Sequence, residues 1–205
     1  MLEVLSLSCE RGDRQLFDEV SFALQPGSLL HVLGRNGSGK TTLLRTLCGL
    51  FFASAGEIRW NGRPVAEQGE EYRKDLLYLG HLNGIKLDLT AEENLHIAAA
   101  LDADDAAPAA IGEALRQIGL AGFEDLPAKV LSQGQKRRVA LARLLLSSAR
   151  IWVLDEPFTA LDVAAVEQLQ QIIAAFVQRG GIVILTTHQE VPLTSGQIQR
   201  LHLAA

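Results

Sequence analysis

The stretch Gly34-Arg35-Asn36-Gly37-Ser38-Gly39-Lys40-Thr41-Thr42 narrows the choice of fold more than any other part of the chain. Three glycines in six positions remove Cβ atoms where the backbone must turn sharply, so successive N–H groups can point into one concavity and hold phosphate oxygens. Lys40 adds a point charge for the outer phosphates, and Thr41 offers a hydroxyl to a magnesium ion. Leu43, Leu44 and Leu47 then read as a helix whose positive N-terminal end faces the same anion. The apolar run Leu29 to Leu33 in front reads as a buried strand, so the G-x-x-x-x-G-K-[ST] pattern stands between strand and helix. At average residue frequencies such a match arises by chance in roughly 1% of chains this long. The expected fold is an α/β phosphate-binding core of mostly parallel sheet.

A chain of 205 residues fits one domain, or one domain with a subdomain, and it can bury a real core. A formal charge of −5 and a pI near 5.5 speak against a general nucleic-acid binder. Only two cysteines, Cys9 and Cys48, occur, far apart in the sequence, which speaks against a disulfide framework, and a reducing cytosol is expected. No uncharged run reaches the ~18 apolar residues of a membrane span, and the longest, Ser21 to Gly34, is broken by Pro26-Gly27. A soluble chain that can sit on a membrane partner is the expectation.

Leu2 to Cys9 alternates enough for a strand, Glu10 to Arg14 reads as a polar turn, and Val20, Phe22 and Leu24 mark a second strand. Beyond the loop helix, Gly49 is a stop signal, Ile58 to Trp60 a short strand and Asn61-Gly62 a tight turn. These predict an N-terminal antiparallel β layer joined to the core. Leu76 to Leu79 predicts a buried strand ending at Gly80-His81-Leu82-Asn83-Gly84. Thr90 and Glu93 form a capping box for a helix from Ala91 to Leu101, and Ile111, Leu115 and Ile118 repeat at helical spacing. A single domain over 1–205 is expected, with its α/β core at about 1–83 and 150–205 and an inserted helical subdomain at about 84–149.

Within that insert, Ser132 and Gln135 form a second capping box in Leu131-Ser132-Gln133-Gly134-Gln135, followed by a helix with Val139, Ala142, Leu145 and Leu146 on one side. Its free N–H groups are a second potential anion site, although many helices begin this way without binding anything. Lys136, Arg137 and Arg138 read as a solvated face.

Ile151-Trp152-Val153-Leu154 is a continuous apolar run, as a central parallel strand requires, and it ends in Asp155-Glu156-Pro157. Adjacent carboxylates at a strand end alternate faces, so one can reach the magnesium ion held by Thr41 while the other faces a water. Val163, Val166, Leu169, Ile172, Ile173 and Phe176 mark an amphipathic helix, Gly180-Gly181 ends it, and Ile182 to Leu185 is a further buried strand. Thr186-Thr187-His188 stands at that strand's end, where open parallel sheets bind ligands, which places His188 near a terminal phosphate.

GRNGSGKTT, LSQGQ, IWVLDEP, Ala160-Leu161-Asp162 and His188 occur in the order seen in ABC-type ATP-binding subunits, and the resemblance covers the whole chain. It implies an ATP-hydrolysing cassette that uses ATP and Mg2+. In that family two subunits pair head to tail, and each donates its LSGGQ-like helix start to the ATP on the other's phosphate loop. The resemblance therefore assigns Gly34, Arg35, Asn36, Gly37, Ser38, Gly39, Lys40, Thr41 and Thr42 to ATP, and Thr41 with Asp155 to magnesium. Catalysis would fall to Lys40, to Glu156 on the attacking water and to His188 on the γ-phosphate. Ser132, Gln133, Gly134 and Gln135 would touch the partner copy's ATP, with Ala160, Leu161 and Asp162 in the dimer loop. Two positions depart from the family. Its adenine-stacking aromatic near residues 9–12 is missing, which leaves Arg11, Arg14 or Phe17 for that task. Its magnesium-contacting Gln, which also couples to the membrane partner, is Leu82 here; leucine cannot coordinate a metal, which leaves His81 or Asn83 for the coupling.

Cys9-Glu10-Arg11-Gly12-Asp13-Arg14, Gly80-His81, Gly84-Ile85-Lys86, Leu89-Thr90-Ala91, the run Leu131 to Arg143 and Thr186-Thr187-His188-Gln189 are more similar still to the ATP-binding subunits of the bacterial cytochrome c biogenesis haem exporter. That resemblance implies a peripheral subunit on the cytoplasmic side of the inner membrane. It would pair with a second copy of itself and dock under an integral membrane permease and haem-handling subunits, with no nucleic acid partner. No residue reads as a haem ligand, so haem enters through partners, and His31, His81 and His96 read as structural. The alternatives are a soluble ABC-type ATPase of non-transport function and the ATP-binding subunit of a different small-molecule exporter.

Overall fold

The computed structural model describes residues 1–12, 14–102, 106–188 and 197–203. Asp13 and Gln189, both part of the sequence resemblance, lie outside these. The chain opens with β1 (Leu2–Arg11) and β2 (Arg14–Leu24), an antiparallel pair. Both strands extend further than their apolar residues signal, so the polar turn expected over Glu10 to Arg14 shrinks to its middle. β3 (Ser28–Leu33) leads through the glycine-rich loop into α1 (Lys40–Leu47). β4 (Ala55–Trp60) returns to pair with β1, and β5 (Arg63–Pro64) adds a short edge, giving a four-stranded antiparallel layer in the order β2-β1-β4-β5. Two short helices, α2 (Val65–Gln68) and α3 (Glu70–Lys74), lead into β6 (Leu76–Leu79).

The helical insert comprises α4 (Ala91–Leu101), α5 (Pro108–Gln117) and α6 (Gln133–Leu146), with a 3-10 turn over Ala128–Val130 between α5 and α6. β7 (Ile151–Asp155), α7 (Val163–Gln178), β8 (Ile182–Thr186) and β9 (Gln197–His202) complete a five-stranded parallel sheet in the order β6-β7-β8-β3-β9. β9 carries no apolar alternation strong enough to announce it; its residues are mostly exposed and it forms the sheet edge beside β3.

The parallel sheet is covered on both faces, which is why β7 and β8 are apolar at every position short of their polar ends. Trp152, Leu154, Val183 and Leu185 face the core shared with α7 and the insert, while Ile151, Val153, Ile182 and Ile184 face the core shared with α1 and the antiparallel layer. Because side chains alternate, Asp155 continues the row of Ile151 and Val153 toward α1, and Thr186 continues the row of Ile182 and Ile184. Asp155 and Thr186 are register partners, so the fold delivers both to one spot beside the start of α1.

Candidate active site

The glycine-rich loop owes its shape to close approach as much as to turning. Gly34 (φ 153°) has Ser38 Oγ 2.5 Å from where a Cβ would stand, and Gly39 (φ 91°) has Leu16 and Phe17 atoms at 3.1 Å. A side chain at Gly39 would push the loop off β2, and one at Gly34 would collide with Ser38 of the loop itself; either would misdirect the N–H groups. Lys40 Nζ lies over the loop, donating to Gly34 O (2.7 Å) and Arg35 O (3.1 Å).

At the loop's helix end, Thr41 Oγ1 donates to Asp155 Oδ2 at 2.8 Å, so the two residues expected to hold magnesium are brought together across 114 positions of the chain. Asp155 is only 3% exposed, and its other oxygen accepts from Thr186 Oγ1 at 2.8 Å. The same threonine hydroxyl accepts from Glu156 N at 3.0 Å. Glu156 has φ 51°, the left-handed region, which for a non-glycine costs on the order of 1–3 kcal/mol unless its surroundings hold it. The turn breaks the strand alternation and swings the carboxylate toward His188. Its Oε2 accepts from His188 N (3.2 Å), while its buried Oε1 has no hydrogen-bond partner and lies 3.5 Å from His188 Nε2.

A cavity of about 470 Å³ joins these groups, bounded by Asn36, Gly37, Gly39, Lys40, Thr41, Thr42, Asp155, Glu156 and His188. Arg11, Arg14 and Leu16 form its outer wall, and Arg14 Nη2 donates to Gly37 O at 3.4 Å. Phe17 is not part of that wall: it is 5% exposed and packed in the core beneath the loop. Of the three residues named for adenine stacking, the two arginines are the ones placed to meet a ligand.

His81 also lines this cavity, which corrects its reading as a structural histidine. Leu82 is 84% exposed. His96 is exposed, and His31 is half-buried under the site, where burial lowers its pKa against the opposing hydrogen bond to the Thr187 backbone.

The ABC transporter family profile matches residues 17–159. The "Cytochrome c biogenesis ATP-binding export protein CcmA" of Dechloromonas aromatica (strain RCB) is 54% identical over 99% of this chain and 100% of its own length. The protein of that name from Escherichia coli (strain K12) is 51% identical over 99% of this chain and 96% of its own. The chain belongs to the CcmA family of ABC transporter ATP-binding proteins. Among solved structures, an ATP-binding subunit of an ABC transporter is 28% identical with a TM-score of 0.82, covering 92% of this chain and 79% of that one. A dimeric post-hydrolysis cassette bound to ADP and Pi shares the fold at a TM-score of 0.86 and 22% identity, over 100% and 97% of the two chains.

In this CcmA-family cassette the segment 132–135 stands outside the cavity that holds Lys40 and Asp155. Ser132 caps α6 with both halves of the capping box formed: Gln135 N donates to Ser132 Oγ (3.1 Å) and Ser132 N to Gln135 Oε1 (2.8 Å). Gly134 packs so close to the 160–162 loop that a Cβ would lie 2.9 Å from Ala160 O. Asp162 in turn caps α7 through Ala165 N (2.9 Å) and is ion-paired with Arg138. Ser132, Gly134 and the 160–162 loop thus form one continuous surface.

Sequence reasoning missed two residues of this site. Thr186 escaped because a threonine at a strand end carries no signal of its own. Arg137 is the larger correction: it is not on a solvated face but 3% exposed, beneath the Asp155-Glu156-Pro157 turn. Burial lowers its pKa, and the carboxylates of Asp155 and Glu156 oppose that shift. A basic triplet after a helix start looks the same in sequence whether or not its middle member is covered.

Proposed function

We propose that this chain is the ATP-hydrolysing subunit of a membrane export complex of c-type cytochrome biogenesis, cleaving ATP to ADP and phosphate in the cavity between the glycine-rich loop and the ends of β7 and β8. The observation that carries this reading is the unbroken set of contacts Thr41–Asp155–Thr186–Glu156–His188 across three separate elements. Loop amides and Lys40 would hold and neutralise the phosphates. Thr41 Oγ1 and Asp155 Oδ2 are hard oxygen donors 2.8 Å apart, a pair suited to Mg2+, which binds through one or two carboxylate or hydroxyl groups and otherwise through phosphate and water. When bound, that ion supplies charge neutralisation on the phosphate oxygens. Glu156 Oε1, buried and without a hydrogen bond, is the group that would accept the proton of the attacking water. His188 would follow the terminal phosphate.

Hydrolysis would need a second copy, because the capped start of α6 lies outside the chain's own cavity. In a head-to-tail pair Ser132, Gln133, Gly134 and Gln135 would approach the partner's nucleotide, with Ala160, Leu161 and Asp162 at the interface. No helix among the described residues is long and apolar enough to cross a membrane. Membrane attachment, on the cytoplasmic face, would come from permease and haem-handling partners, as the sequence resemblance implies; the name of the relatives gives export and cytochrome c biogenesis. The test is Glu156→Gln on the purified chain. Turnover should fall roughly 10²- to 10⁴-fold with ATP binding intact; turnover within threefold of the parent would remove Glu156 from this role.

A further inference from the structure

The guanidinium of Arg137 has five N–H groups, and each finds an acceptor. Nε donates to Pro157 O (3.3 Å), and Nη2 to Asp155 O (3.2 Å) and Glu156 O (2.8 Å). Nη1 donates to Gly80 O (3.1 Å) and Asn83 Oδ1 (3.3 Å). Three consecutive carbonyls at the end of β7 therefore converge on one side chain, around the single residue of that turn with a left-handed backbone. The side chain starts one turn into α6, the helix that Ser132 caps. A lysine would bring a point charge with three donors, and a glutamine two donors and no charge; neither can span five acceptors in a plane.

We propose that Arg137 is a positioning residue for ATP hydrolysis, holding Glu156 in its left-handed turn and tying that turn both to the start of α6 and to the segment 80–83. The proposal rests on the reading of Glu156 as the group that activates water. Movement of α6, or of 80–83, displaces the guanidinium and with it the Glu156 carbonyl, so the carboxylate is aimed only when all three segments are in register. The segment 80–83 has an exposed leucine at 82 and so no amide there to reach into the cavity. Besides His81, which lines the cavity itself, the segment connects to the reaction centre through Gly80 O and Asn83 Oδ1 on Arg137.

The experiment compares the full chain with R137Q, R137K, E156Q and R137Q/E156Q in steady-state ATPase assays and in equilibrium binding of a fluorescent ATP analogue. R137Q should bind the analogue within about threefold of the parent while kcat falls about 10- to 100-fold, as expected for misplacement of a reacting group by a fraction of an ångström to an ångström. The double variant should turn over no more slowly than E156Q alone, because Arg137 acts through Glu156. Turnover of R137Q within twofold of the parent, or losses that multiply in the double variant, would overturn the proposal. E156Q turning over like the parent would instead overturn the role given to Glu156, so the two failures are distinct. Should R137Q not fold, R137K decides: it keeps the buried charge but not the fork, and unchanged kcat in R137K would overturn the proposal as well.

Discussion

At the scale of single residues, the site depends on hydroxyls and main-chain groups that hold the charged side chains in place. Thr186 Oγ1 donates to Asp155 and accepts from Glu156 N, so it fixes the acidic pair from below. Thr186→Val keeps the shape and leaves two polar groups unpaired, at a cost of about 1–3 kcal/mol for a buried one. We expect a melting temperature lower by roughly 2–4 °C per kcal/mol and a turnover lower by roughly 10-fold or more, read by thermal melts and ATPase assay; normal melting with normal turnover would discount this relay. Lys40 and Thr41 were legible in the sequence because the glycine-rich pattern contains them, and Asp155 because its acidic pair, by itself usually a solvated turn, follows that pattern. Arg137 was not, because its burial is decided by residues 80–83 and 155–157, which no local pattern connects to it.

At the scale of elements, caps and alternation carried most of the information. α4 begins at the Thr90–Glu93 capping box that the sequence displays, with Glu93 N donating to Thr90 Oγ1 at 3.1 Å and Thr90 N to Glu93 Oε2 at 2.8 Å. β9 was not legible, since an edge strand half in solvent needs no apolar face. Asp75, just before β6, joins three elements: it accepts from Trp60 Nε1 of β4 (2.7 Å) and Arg150 Nε (2.7 Å), and its carbonyl accepts from Ile151 N of β7 (2.8 Å). The Arg150 hydrogen bond chiefly holds the Asp75 carboxyl below its usual 3.8, with Trp60 helping and burial opposing. A folded pKa lowered in this way means stability that is fully present above pH 3.8 and lost as pH falls through the folded value. Asp75→Asn should therefore melt a few degrees below the parent at pH 7, with the gap closing under acid conditions below about pH 4. A gap that persists unchanged in acid would assign the effect to packing instead.

At the scale of the whole molecule, the cavity around Lys40 and the surface around Ser132 are separate, and only a second copy can join them in the proposed way. Lys40→Ala spoils the phosphate loop and leaves the α6 start intact; Ser132→Ala does the reverse. In a head-to-tail pair, a mixed dimer of the two variants has one site with both halves sound. An equimolar mixture should therefore hydrolyse ATP faster than either variant alone. If the mixture is no better than the mean of its components, the contact is made within one chain and the head-to-tail reading fails.

The sequence by itself determined the phosphate-binding chemistry, the main strands and helices and the family, because glycine positions, caps and apolar periodicity act over a few residues. Tertiary structure alone decided which distant groups meet. It set Thr186 between Asp155 and Glu156, buried Arg137 under the Glu156 turn, and turned His81 into the cavity while leaving Leu82 in solvent. The physical reason is that a local pattern specifies which face of an element a residue occupies, whereas its partners follow from how sheet, insert and loops pack, and those contacts join residues far apart along the chain.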